Sequence, residues 1–123
     1  MGTTTEPLVR RLNVVYLYVS EIERSVGFYR DLLGIPLEGD DDWQEASLDG
    51  TRFALHRTHE GIGEPSSGTI HVNLEVADLD AATERLRAAG VEVEETMREE
   101  WGAAAKVVDP DGYELFLFQP SAQ

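Results

Sequence analysis

The stretch "VVYLYVSEIERSVGFYRDLLGIPLE" (Val14–Glu38) decides the fold, because the chain repeats its pattern as "HVNLEVADLDAATERLRAAGVEVE" (His71–Glu94). Val15 falls on Val72, Leu17 on Leu74, Val19 on Val76 and Ile22 on Leu79. After one gap Gly34 falls on Gly90, Ile35 on Val91 and Leu37 on Val93. An internal repeat of this kind fixes the architecture before any single element does. In the first copy Val15, Leu17 and Val19 alternate with Val14, Tyr16 and Tyr18, the period of a strand. Ser20 followed by Glu23 has the form of a capping box that starts a helix. Ile22, Val26, Tyr29 and Leu33 then recur at helical spacing, and Gly34 is a natural stop. In the second copy Asp78 or Asp80 can cap, Leu79, Leu86 and Ala89 mark the buried stripe, and Gly90 stops the helix.

Working outward, each helix is followed by strand-like segments. These are Ile35–Glu38, Trp43–Leu48 and Thr51–Arg57 in the first half, and Val91–Glu94, Ala103–Val108 and Glu114–Gln119 in the second. "SLDGTRF" and "DPDGYEL" place Asp-Gly turns before the last strands. "THEGIGEPSSGT" is rich in Gly, Ser and Pro and reads as a linker. The expected organisation is α+β, two βαβββ modules in one domain over 1–123. Module 1 covers about 12–58, the linker about 59–68 and module 2 about 69–119. One helix covers only one face of each sheet, so the open faces are expected to line a shared cleft.

Composition narrows the function. The chain has 123 residues, no cysteine, and 24 Asp and Glu against 10 Lys and Arg, a net charge of −14. Disulfides and thiolate zinc sites are excluded. The charge argues against nucleic acid and favours a cationic ligand. No window approaches the ~18 apolar residues of a membrane span, and the start "MGTTTEPLVRR" lacks the apolar core of a signal peptide. No membrane partner and a cytoplasmic location are therefore expected.

The segments "VSEIERSVGFYRDLLGI", "IHVNLEVADLDAATERLRAAGV" and "WGAAAKVVDPDGYELFLFQ", in order within a two-fold repeat, resemble the vicinal oxygen chelate superfamily of glyoxalases, extradiol dioxygenases and bleomycin-resistance proteins. The resemblance implies an open, barrel-like mixed sheet around a central cleft. It also implies that metal-dependent members place ligands at four strand positions. Here those positions hold Val14, Ala54, His71 and Phe116, and hydrocarbon side chains cannot ligate. A shifted site using His56 and Glu114 would stand ~6.5 Å along the strands from the expected positions. No metal and no cofactor are expected, as in the metal-free, bleomycin-resistance-like branch.

With those positions as reference, parity assigns the cleft face. It carries Val14, Tyr16 and Tyr18, then Arg52, Ala54 and His56, then His71, Asn73 and Glu75, then Glu114, Phe116 and Phe118. Trp43 and Trp101 are further candidates, each also suited to packing or an interface. Rings with sparse polar groups suit a small molecule. Arg52 and Lys106 are expected to balance Glu75 and Glu114 on neighbouring strands. No G-x-S-x-G elbow or phosphate loop is present. The expected function is metal-free binding of a small aromatic or cationic compound, as in sequestration or resistance. The rival is an enzyme, a lyase, isomerase or dioxygenase with shifted ligands or metal-free acid-base chemistry built on His71 with Glu75 or Glu114. A homodimer is expected, because single open modules expose apolar surface.

Overall fold

The computed structural model describes residues 12–59 and 72–121. His71 and nearly all of the expected linker lie outside the described residues. The chain is α+β, with two four-stranded mixed sheets, each covered by a helical segment, and no closed barrel. In the first sheet β1 (Val14–Val19) runs parallel to β4 (Thr51–Arg57), which pairs antiparallel with β3 (Trp43–Leu48), and β3 with the short β2 (Glu38–Gly39). The second repeats this order, with β5 (Val72–Glu75), β8 (Glu114–Pro120), β7 (Gly102–Val108) and β6 (Met97–Glu99).

The gap in the repeat has a structural cause. Helix α1 (Ile22–Val26) widens into a π-helical segment, Gly27–Leu32, whereas α2 (Leu79–Ala88) is regular. The first copy has one residue more between its helix start and its glycine than the second. A π-turn, with i→i+5 bonding, absorbs one extra residue and leaves the next turn of the chain in place. Both helices then end alike. Gly34 and Gly90 have φ of 81° and 82°, and the Ile35 and Val91 N–H groups donate back to the Tyr29 and Leu86 carbonyls. A positive φ there favours glycine, as both copies anticipated.

Helix starts differ from each other. Asp78 caps α2 by accepting from the Ala81 N–H at 3.0 Å. Ser20 does not cap α1; the N-cap residue is Glu21, without a side-chain bond. The Ser20 hydroxyl donates instead to Asp111 Oδ1 at 2.5 Å, across the module boundary. The Ser20 oxygen in turn accepts from Arg24 Nη2 at 3.0 Å, a charged donor in the place of the backbone N–H that a cap would take. Two strand expectations also shift. Ile35 and Leu37 are buried but outside any strand, and the strand begins at Glu38. Val93 forms only an isolated bridge with Val107, and the edge strand is Met97–Glu99. In each case apolar alternation marks burial beside the sheet rather than pairing within it.

One apolar core serves both modules. It joins Val19, Phe53 and Leu55 of the first to Val107, Leu115 and Leu117 of the second, with Tyr29 and Leu86 from the helical segments. The "DPDG" turn locks the two together. Asp109 is 4% exposed and accepts from the Tyr29 hydroxyl at 2.6 Å and from the Asp111 and Tyr113 backbone N–H groups at 2.9 and 2.8 Å. Asp111 also takes Arg24 at 2.9 Å, and the Tyr113 hydroxyl donates to the Tyr18 carbonyl at 2.9 Å. The turn of module 2 therefore holds the end of β1, one of the strands that carry the candidate site.

Candidate functional site

Strand register builds the open face of the first sheet row by row. Tyr18, His56 and Trp43 stand side by side on β1, β4 and β3, and Tyr16, Ala54 and Glu45 form the next row. Neighbouring strands lie ~4.8 Å apart, so Tyr16 and Trp43 would not meet across a bulky central residue. Ala54 has no such bulk, and the two rings approach to 5.4 Å above it. His56 sits among three rings, 5.4 Å from Tyr18 in a stacked arrangement, 5.4 Å from Trp43 and 6.0 Å from Tyr16. Its Nδ1 is buried with no hydrogen-bond partner among the described residues. Tyr16 and Tyr18 remain 43% and 46% exposed. The face is a half-open aromatic wall, sequence-close residues being brought together with Trp43 by sheet pairing alone.

Glu45 was not anticipated. It accepts from Trp43 Nε1 at 2.7 Å and from Arg52 Nη1 at 3.2 Å. The indole N–H first, and then Arg52, hold its carboxyl below the usual carboxylate range. Trp43 and Glu45 alternate in "WQEASL", and strand parity applied there would have found the glutamate. Arg52 thus balances Glu45, rather than Glu75 or Glu114 as expected, because Glu45 stands diagonally across from it on the neighbouring antiparallel strand.

The second sheet offers a different wall. Its rows are Glu75, Phe118 and Ala104, then Asn73, Phe116 and Lys106. Trp101, 50% exposed in the turn before β7, lies 5.9 Å from Phe118. Lys106 pairs with Glu94 at 2.8 Å and Glu114 at 3.2 Å, and these two, Glu94 first, raise its pKa above the ordinary lysine value. Glu75 and Asn73 are exposed, and Glu75 has no ion-pair partner among the described residues. A cavity of about 620 Å³ lies along β5 between the modules, against Leu33, Leu48, Asn73, Glu75 and Leu117. It touches none of the rings. Among the described residues each aromatic wall is an open sheet face.

Among the described residues the donor set does not fit a divalent cation. Val14, Ala54 and Phe116 offer only hydrocarbon at the positions where the resemblance implies ligands, and His71 lies outside the described residues. The shifted alternative separates His56, packed among rings on one sheet, from Glu114, engaged by Lys106 on the other. Several O or N donors must converge at ~2.0–2.5 Å to hold such an ion, and among the described residues no three His, Cys, Asp or Glu side chains do. None of the helices of the described residues is long and apolar enough to cross a membrane.

Comparison with known proteins agrees with the two-module fold. Residues 11–117 match the model of the Glyoxalase/Bleomycin resistance protein/Dioxygenase superfamily. Glutathione transferase FosA of Serratia marcescens is 30% identical over 122 residues, covering 89% of this chain and 81% of that protein. TnmS3, an antibiotic binding protein from Streptomyces sp. CB03234, superposes with a TM-score of 0.73 at 27% identity, covering 94% of this chain and 100% of the other. A glyoxalase/dioxygenase from Nostoc punctiforme shares the fold, with a TM-score of 0.81 at 18% identity over 99% of both chains. With two repeated modules, ring-lined sheet faces and a family match over most of its length, this chain belongs to the Glyoxalase/Bleomycin resistance protein/Dioxygenase superfamily.

Proposed function

We propose that this chain binds a small aromatic or cationic compound between ring-lined sheet faces without a metal, in the manner of a sequestering or resistance protein. The observation that supports this most is the substitution of rings and hydrocarbon for ligands. Where metal-dependent relatives need donors the chain has Val14, Ala54 and Phe116, and around them stand Tyr16, Tyr18, Trp43, His56 and Phe118. Such a surface gains binding energy from stacking and apolar burial, which need no catalyst. The similarity to TnmS3 points the same way, since that protein is an antibiotic binding protein. FosA, a glutathione transferase, supports the rival reading of an enzyme. Chelation separates the two. After exhaustive dialysis against EDTA, affinity for planar aromatic compounds is expected to be unchanged in equilibrium dialysis. Loss of binding, restored by a divalent metal, would overturn the metal-free reading.

The functional unit is a homodimer in this reading, and its location the cytoplasm. β1 and β5 each pair on one side only among the described residues, and both carry partly buried apolar side chains: Val15, Leu17, Val72 and Leu74. Unpaired edges of that kind are natural places for another chain to add. Joining two copies there sets the wall of one module beside the wall of the other and encloses a cleft that one chain leaves open. Light scattering is expected to give twice the 13.7 kDa chain mass. A monomer at micromolar concentration that still binds ligand would remove the dimer from the reading.

A further inference from the structure

The two walls are not equivalent, and the difference assigns a charge to the ligand. The row Tyr18, His56 and Trp43 on the first sheet corresponds by the repeat to Glu75, Phe118 and Ala104 on the second. A carboxylate stands where the other module has a tyrosine ring. By register Glu38, Glu45, Glu75, Glu99 and Glu114 lie on the two faces; Glu38 and Glu99 stand opposite Glu45 and Gly102 rather than a ring, and two of the others are spent. Glu45 is held by Trp43 and Arg52, and Glu114 by Lys106. Glu75 is exposed and has no ion-pair partner among the described residues. It is in register with Phe118 on the adjacent parallel strand, so both side chains leave the same face at ~4.8 Å strand spacing. Trp101 flanks Phe118 at 5.9 Å with its rings half in solvent.

The geometry points to a cation subsite made of Glu75, Phe118 and Trp101, which takes the ammonium or ring-borne positive charge of a planar aromatic ligand. Ring faces attract organic cations, and Trp most strongly. A carboxylate beside them adds a charge-assisted hydrogen bond to an N–H donor. The basic groups on the described open faces, Arg52 and Lys106, are already paired, so they do not neutralise Glu75. Ala104 leaves room on the far side of Phe118 where the first sheet carries Trp43. An anion would face the uncompensated Glu75 and the surplus acid of the Glu94–Lys106–Glu114 group.

This inference rests on the reading of the faces as an aromatic-compound site, and three probes keep the two apart. Proflavine, a planar cation, phenazine, a neutral ring system of similar shape, and naphthalene-1-sulfonate, an anion, are titrated into the full chain by calorimetry at low salt. Proflavine is expected to bind about tenfold more tightly than phenazine, and the sulfonate most weakly. Glu75→Gln is expected to remove that advantage while leaving the phenazine affinity within about twofold. Glu84→Gln deletes the same charge from the exposed face of α2 and controls for the general pull of an acidic protein; it is expected to keep the advantage. Equal affinity for proflavine and phenazine, or an equal effect of the two glutamate variants, would overturn the subsite while the aromatic-binding reading stood. Failure of all three probes to bind would overturn both.

Discussion

Asp109→Ala is expected to destabilise the chain by about 3 kcal/mol, a large effect for a single polar side chain. The carboxylate is buried and satisfies three donors at once: the Tyr29 hydroxyl and the Asp111 and Tyr113 backbone N–H groups. Alanine strands the Tyr29 hydroxyl in a buried setting and the two backbone groups in a part-buried one, and opens a cavity where the modules meet. Asp109→Asn is the informative partner. One oxygen continues to accept both backbone donors, and the amide replaces only the oxygen facing Tyr29. The loss should then stay within about 1 kcal/mol. Urea midpoints of the two variants measure the difference. A cost below about 1 kcal/mol for alanine would show that the turn does not hold the modules together.

The same residue sets a pH limb. Burial pushes the Asp109 carboxyl above its ordinary value, against the opposing pull of its hydrogen bonds. The fold thus favours the neutral acid. That contribution is complete below the carboxyl's unfolded-state range, near 3.9, and is lost as pH rises through the raised folded-state value. This runs opposite to a salt-bridged aspartate, whose stabilisation is lost as pH falls. Asp109→Asn carries no titrating group and should flatten this part of the stability profile above the ordinary carboxyl range, about 3.9. An unchanged profile would assign the limb to another group.

For ligand binding, Trp43→Ala is expected to raise the Kd of a planar aromatic probe by roughly 30-fold, about 2 kcal/mol. Trp43 is the ring that reaches Tyr16 across Ala54, abuts His56 and holds Glu45 in place. Removing it deletes stacking area and loosens a carboxylate in the same step. The residue sits on an open face and is only partly buried, so global stability should fall by about 1 kcal/mol or less. Trp43→Phe retains a ring but not the N–H donor, and should recover most of the affinity. Unaltered binding in the alanine variant would move the site away from the first sheet.

The ring wall shows where reading the sequence stops. Strand alternation in "VVYLYV" put Tyr16 and Tyr18 on one face, and the same alternation in "RFALHR" put Ala54 and His56 together. Only pairing in register set Tyr18 beside His56 and His56 beside Trp43. Parity is a property of a local backbone and is carried by neighbours in sequence. Register depends on partners about forty residues away and on turns such as Asp49–Gly50, whose positive φ values of 51° and 99° close the β3–β4 hairpin. The Ser20–Asp111 bond was missed for the same reason. A hydroxyl that looks like a helix cap in sequence cannot reveal an acceptor that lies in the other module.

By itself the sequence determined the two modules, their order of elements, the glycine stops at Gly34 and Gly90, and the hydrocarbon at three of the family's four ligand positions. These come from periodicity, backbone sterics and side-chain chemistry, which are local. The tertiary structure alone decided that a π-turn absorbs the extra residue of the first copy. It also decided that Asp109 and Asp111 clamp the modules, and that Arg52 and Lys106 neutralise Glu45 and Glu114 while Glu75 has no ion-pair partner among the described residues. Those outcomes depend on which groups converge in space, and charge pairing and burial act over ångströms of distance rather than along the chain.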